Sequence, residues 1–115
     1  MTVQECYALM NGNYEDVIER LMSEERIVKY LRKFAAEDDY TALLSALDEK
    51  RYEDAFRHVH NLKGMSLNLG ITALAESGST LCEALRGGAP TVDIEPMLVA
   101  VKQDYDKAIA AISQL

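Results

Sequence analysis

The sequence predicts an all-α fold, an antiparallel four-helix bundle with a short N-terminal helical extension. Gly and Pro number only six and two in 115 residues, and they cluster at 11–13 and 87–90, where turns are expected. Between these turns apolar residues recur at helical spacing, and no segment resembles a β-hairpin. The chain is long enough to bury one core and too short for two, so we expect a single domain at 1–115.

The first 22 residues are predicted to form two short helices. Thr2 and Glu5 have the spacing of a capping box. Asn13 can cap a second segment, because acidic side chains follow it and negative charge is favourable in the first turn of a helix. We expect 1–22 to be a helical lid on a four-helix bundle formed by 23–115.

Four main helices are predicted in the bundle. The first begins at Ser23 and reaches the acidic run 37–39, which is either a solvated face or a break. The other three are expected at 51–69, 71–86 and about 91–114. The last of these has an apolar stripe consisting of Ile94, Leu98, Val101, Tyr105, Ala108 and Ile112.

Charge and composition exclude several functional classes. Lys and Arg number 12 against 19 Asp and Glu, a net charge of −7, so nucleic acid and membrane surfaces are poor partners. No apolar run reaches the ~18 residues of a membrane span, and the N-terminus does not resemble a signal peptide. Cys6 and Cys82 form no CxxC pair, so neither a zinc site nor a redox motif is indicated, and Cys82 is expected to pack in the bundle. We therefore expect a cytoplasmic protein without a metal.

The segment 55–70 carries the candidate chemistry. On a helical wheel of about 100° per residue, most of its apolar side chains fall on a stripe opposite His60. His60 is therefore predicted to point into solvent. His58 falls inside the apolar stripe, and we expect its side chain to be packed or partly buried.

Lys63 and Gly64 lie one helical turn after His60, on either side of it. A neutral imidazole is a good nucleophile near pH 7, and phosphoryl transfer depends mainly on positioning and charge stabilisation. Lys63 could place its ammonium beside phosphoryl oxygens. Glycine in a helix interior costs roughly 0.5–1 kcal/mol relative to alanine, so Gly64 suggests clearance for a phosphoimidazole or for a partner's backbone.

Three further residues on the outer face are candidates for a docking surface. Phe56 and Arg57 lie one turn before His60, and Leu67 lies two turns after it. Phe56 and Leu67 would give this surface its apolar character. Arg57 could equally be a solvated charge.

The run His-Asn-Leu-Lys-Gly at 60–64, followed by Asn-Leu-Gly at 68–70, resembles the signature of histidine phosphotransfer (HPt) domains. That signature is His-x-Leu-Lys-Gly, followed by a hydrophobic residue and a glycine. The sequence departs from it at Val59, where the family usually has a small residue, and at Met65, which is larger than usual. A second histidine, His58, precedes the motif.

The resemblance extends over most of the chain, from about residue 23 onward. Phe34 matches a Phe that the family has upstream of its histidine, and 71–86 matches the helix that packs beside the histidine helix. In the family a basic residue on that second helix often approaches the phosphoryl group. Arg86 stands at the matching spacing, although it could also serve only to favour the C-terminus of its helix.

The resemblance implies a phosphoryl carrier. His60 would accept a phosphoryl group from the aspartate of a receiver domain and pass it to another receiver. The implied partners are response-regulator receiver domains and a hybrid sensor histidine kinase, and Mg²⁺ would belong to the receiver, leaving no cofactor in this chain. The sequence has no Gly-rich nucleotide loop, so we expect neither ATP binding nor autokinase activity, and not an enzyme.

Two other functions are considered. A helical adaptor could dock receiver or kinase domains without accepting phosphate, although such relatives usually lose the histidine that this chain keeps. Metal binding by His58 and His60 is disfavoured, because residues two apart on a helix point about 200° apart. A monomer is the default expectation, and the Met1 start and short length favour a free-standing protein.

Overall fold

The computed structural model describes all residues from 1 to 115, and all of its regular elements are helices, with no strand. The all-α prediction is therefore confirmed. In chain order the helices are α1 Val3–Leu9, α2 Tyr14–Leu21, α3 Glu24–Ala36, α4 Asp39–Asp48, α5 Tyr52–Asn68, α6 Thr72–Leu85 and α7 Glu95–Ile112.

The helices form an elongated bundle of 41 × 20 × 20 Å. Helix α5 packs between α4 and α6, and α7 packs on α6 and also contacts α3. Because Glu37 has extended dihedral angles (φ −70°, ψ 148°), the predicted first bundle helix is interrupted at this residue. Helices α3 and α4 together thus take the place of one long helix, and the acidic run at 37–39 marks a break.

The starts of the first three helices follow from side-chain capping. The Thr2 hydroxyl accepts a hydrogen bond from the Glu5 amide, and the Glu5 carboxylate accepts one from the Thr2 amide, so the capping box is present. Asn13 caps α2 and Ser23 caps α3 in the same manner, through the third amide of each helix. The predictions at these starts are confirmed.

The last helix begins later than predicted. Residues from about 91 were expected to be helical, whereas α7 starts at Glu95. The carboxylate of Asp93 accepts a hydrogen bond from the Glu95 amide at 3.1 Å, and Pro96 follows in the first turn. A proline fits there because the first amides of a helix have no helical partner. Helices α5 and α6 begin and end within one residue of the predicted limits.

The N-terminal region contributes to the core instead of only covering it. Cys6, Tyr7 and Met10 are almost completely buried in the same cluster as the bundle residues. The Tyr7 hydroxyl donates a hydrogen bond of 2.6 Å to the Leu69 carbonyl at the end of α5. The Arg20 guanidinium donates to the last carbonyls of the same helix. The proposed division at residue 22 stays a prediction, and residues of 1–22 pack into the same core as the bundle.

No helix is both long enough and apolar enough to span a membrane.

Candidate functional site

The register of α5 decides which of its side chains reach solvent. Its buried residues are Ala55, Val59, Leu62 and Ser66, which recur every three or four positions and face the core. His60 is exposed on the opposite side, where the helical wheel places it. The ring of Phe56, one turn earlier, lies almost parallel to the imidazole, with ring centroids 5.9 Å apart and an interplanar angle of 22°.

Helices α5 and α6 run antiparallel and meet along one line beside His60. The three residues that α6 and its C-cap contribute to this line are spaced four apart, so they share one face of the helix. The facing pairs are Lys63 with Gly78, His60 with Cys82, and Phe56 with Arg86. The line places one α6 residue opposite each of three residues on α5.

Cys82 is the α6 residue that contacts the candidate nucleophile. Its Sγ lies 4.0 Å from Nδ1 of His60. Nδ1 therefore faces α6, and Nε2 is the ring nitrogen left for solvent or a partner. Burial raises the pKa of the Cys82 thiol, an effect that the nearby charges of Lys63 and Arg86 partly oppose.

The sequence interpretation assigned Cys82 only to packing in the bundle. It is indeed fully buried, but it also touches His60, which was not predicted. The spacing of Gly78, Cys82 and Arg86, four residues apart along one helix face, was the available signal. This spacing could be interpreted only once the register of α6 against α5 was known.

Arg86 ends α6 and is exposed beside Phe56. Its guanidinium carbon lies 5.3 Å from the centroid of the Phe56 ring, and Nη2 donates to Oε1 of Glu83 at 2.8 Å. The hydrogen bond and the opposite charge of Arg86 lower the pKa of Glu83, and those of Glu83 raise the pKa of Arg86. The structure thus brings Arg86 to the edge of the site, where it is held by a carboxylate. Its role in stabilising a phosphoryl group stays a prediction.

Lys63 and Gly64 border His60 on its C-terminal side. Lys63 is half-buried and forms no ion pair in the structure. Its charge nevertheless contributes to lowering the pKa of Glu83 on the neighbouring helix. A Cβ added to Gly64 would meet no heavy atom within 4 Å, so packing within the chain does not require a glycine there.

The other predicted docking residues differ in their availability. The Leu67 side chain is 54% exposed two turns beyond His60. Arg57 is exposed too, but its Nη2 is paired with Oδ1 of Asp54 at 2.9 Å. Phe56 is half-buried, with one side against the core. Phe56 and Leu67 are therefore placed as expected, whereas Arg57 is occupied by a local ion pair.

His58 belongs to the other flank of α5. Its Nδ1 lies 3.0 Å from Oδ1 of Asp39 at the start of α4, and its side chain is only 23% exposed. The amide of Asn61 donates to the same oxygen at 3.4 Å. The expectation of a partly buried His58 is confirmed, and this histidine links α5 to α4.

The comparisons with known proteins agree with this architecture. The family model described as "Hpt domain" matches residues 31–114, which include α4 to α7 and the whole His60 segment. Neither the curated proteins nor the solved structures give a match. Helices α1 and α2 lie outside the matched residues. The chain belongs to the Hpt domain family, whose members have a histidine phosphotransfer role in phosphorelays and interact with receiver domains of two-component systems.

Proposed function

We propose that this protein carries a phosphoryl group on Nε2 of His60 between the aspartates of two receiver domains. The observation that supports this most directly is the exposure of His60, whose Nδ1 faces Cys82 and so leaves Nε2 as the nitrogen to react. His60 also occupies the histidine position of the His-x-Leu-Lys-Gly motif, within the residues that the family model matches.

The transfer step needs no proton donor from this chain. With Nδ1 protonated, the lone pair of Nε2 attacks the phosphorus of the aspartyl phosphate. A P–N bond forms as the P–O bond to the carboxyl group breaks, and the aspartate leaves as a carboxylate. The imidazole keeps its Nδ1 proton and shares the positive charge, and the return step reverses these changes.

Lys63 is suited to stabilise the charge that is transferred. It lies one turn after His60, has no carboxylate partner, and is free to approach the phosphoryl oxygens. Gly64 leaves open space on the other side of the imidazole. Phe56 and Leu67 provide apolar contact for the docked receiver domain.

The proposal describes a carrier and not an enzyme. His60 takes the phosphoryl group stoichiometrically, and Mg²⁺ and the aspartate belong to the receiver domain. The upstream partner would be the receiver of a hybrid sensor kinase and the downstream partner that of a response regulator. The protein would act as a monomer, because each step needs one imidazole and one aspartate.

The proposal is tested by mixing the protein with a receiver domain that carries a radiolabelled aspartyl phosphate. Wild type and His58→Gln are expected to take up label that is stable to base and labile to acid. His60→Gln is expected to take up none while keeping its helical circular dichroism spectrum. Label on His60→Gln would contradict the proposed site.

The same assay distinguishes the adaptor function. If the folded wild-type protein binds a receiver domain, measured by calorimetry, but takes no label from any receiver tried, the carrier function is wrong. A helical adaptor would then be the better description of the chain.

A further inference from the structure

Arg86 is held at the margin of the site by two contacts, neither of which involves His60. Its Nε lies 3.2 Å from Oε1 of Glu83 and its Nη2 lies 2.8 Å from the same oxygen. The other contact is with the ring of Phe56, which itself lies against the imidazole of His60. The ring of Phe56 therefore contacts both the guanidinium and the candidate phosphoryl acceptor.

The ion pair that holds Arg86 is easily broken. The side chains of Arg86 and Glu83 are 56% and 63% exposed, and exposed pairs of this kind contribute little to stability. A phosphoryl group carries roughly two negative charges near neutral pH, against one on a carboxylate. Arginine also binds phosphate oxygens in a two-pronged geometry that suits them. A phosphoryl group on His60 would therefore compete successfully for Arg86.

Glu83 also opposes the phosphorylated state directly. It is close enough to Lys63 for the lysine charge to affect its pKa, and close enough to Arg86 to bind it. Its negative charge thus lies among the cations that would surround a phosphoryl group. Removing that charge would free Arg86 and weaken the repulsion at the same time.

We propose that Glu83 is a positioning residue that sequesters Arg86 while His60 is unphosphorylated and releases it to the phosphoryl group after transfer. The consequence is regulatory: Glu83 lowers the affinity of His60 for the phosphoryl group and so favours onward transfer to the next receiver. This inference rests on the proposed function, because it assumes a phosphoryl group on His60.

The first test is a double-mutant cycle on the transfer equilibrium with one phosphorylated receiver domain. Glu83→Gln is expected to shift the equilibrium toward phosphorylated His60 by about 2- to 5-fold, the size of an exposed ion pair. Arg86→Gln is expected to shift it in the opposite direction. In the Arg86→Gln background, most of the effect of Glu83→Gln should disappear. Glu76→Gln is the matched control, because Glu76 is exposed two turns earlier on the same helix and has no ion pair.

The second test does not depend on a receiver domain. Phosphoramidate, a small phosphoryl donor that releases ammonia on transfer to an imidazole, is used to phosphorylate the His58→Gln protein on its remaining histidine. The Nε–H resonance of Arg86 is followed by NMR before and after labelling. This resonance is expected to shift when His60 is phosphorylated. The shift should be smaller in the double variant His58→Gln/Glu83→Gln than in the control His58→Gln/Glu76→Gln, because Arg86 is already free of its carboxylate partner in the former.

The outcomes separate the two proposals. If His60 is labelled but the Arg86 resonance does not move, and Glu83→Gln behaves like Glu76→Gln, the inference is overturned while the carrier function stands. The inference is also overturned if Glu83→Gln shifts the transfer equilibrium equally in the wild-type and Arg86→Gln backgrounds, since Glu83 would then act by its charge alone. If His60 takes no label from receiver or phosphoramidate, both proposals fail.

Discussion

The two flanks of α5 each carry a histidine, and the surroundings of the two histidines are opposite in character. On the flank toward α4, His58 is half-buried and bound to the carboxylate of Asp39 at 3.0 Å. On the flank toward α6, His60 is exposed, and its Nδ1 lies 4.0 Å from the thiol of Cys82. The two histidines are only two positions apart, but the helical period turns them toward different neighbours.

This difference teaches which features make a histidine available for chemistry. A ring nitrogen that is bound to a carboxylate inside a helix interface supports packing, and its access to a partner is restricted. An imidazole with an uncharged neighbour and an open outer face can meet an incoming phosphoryl group. The distinction can be tested on either flank, and the expected effects decrease in the order of the three predictions below.

The largest effect is expected at Lys63, on the His60 flank. Lys63→Gln removes the one unpaired cation that lies one turn from the imidazole, and we expect phosphotransfer to slow by about 10- to 100-fold because charge stabilisation dominates this chemistry. Rapid quenched-flow measurements of phosphoryl transfer from the receiver domain to the protein give the transfer rate. Lys102→Gln, a half-buried lysine on α7, is the control and should transfer at the wild-type rate. Equal rates for the two variants would contradict a role for Lys63.

A smaller effect on transfer, together with a gain in stability, is expected at Gly64. Gly64→Ala adds a methyl group in open space, so it should stabilise the helix by about 0.5–1 kcal/mol and slow transfer several-fold by obstructing the docked partner. Urea unfolding and the transfer assay measure the two effects.

Gly78→Ala is the matched control for this prediction. Its added Cβ would lie 3.6 Å from the Cβ of Lys63, an ordinary contact inside the α5–α6 interface. This variant should leave the transfer rate unchanged. If Gly64→Ala also transfers at the wild-type rate, the clearance explanation of Gly64 is wrong.

The smallest effect on transfer is expected on the other flank. Asp39→Asn weakens the hydrogen bond to His58 and should lower the free energy of unfolding by about 1 kcal/mol, without changing transfer to His60. Urea unfolding measures the loss, and Asp38→Asn is the control because the Asp38 side chain makes no capping bond. A variant that keeps its stability but loses phosphotransfer would show that the two flanks are coupled.

Much of the fold could be predicted because its signals are local. Thr2, Asn13 and Ser23 define helix starts by hydrogen bonds that span only three residues. The break after Ala36 could not be decided in the same way, because acidic residues suit both an exposed helix face and a helix start. The late beginning of α7 coincides with Asp93, whose carboxylate accepts a hydrogen bond from the Glu95 amide just before the first helical turn.

The candidate site likewise has one part that the sequence predicts and one part that it does not. The exposure of His60 and the positions of Lys63 and Gly64 follow from the period of one helix, and these were predictable. The contact of Cys82 with His60 and the contact of Arg86 with the Phe56 ring depend on where α6 lies against α5, at a sequence separation that periodicity does not reach. The same limit applies to His58, whose partner Asp39 belongs to another helix.

The sequence by itself determined an all-helical chain, the motif at 60–64, and which face of α5 carries the nucleophile. These depend on backbone hydrogen bonding and on a regular period, both of which act over a few residues. Only the tertiary structure decided that Cys82 touches the imidazole, that Arg86 lies over the Phe56 ring, and that α1 is part of the core. Those contacts arise from the packing of helices against one another, and packing depends on the shapes of surfaces that are brought together only when the whole chain folds.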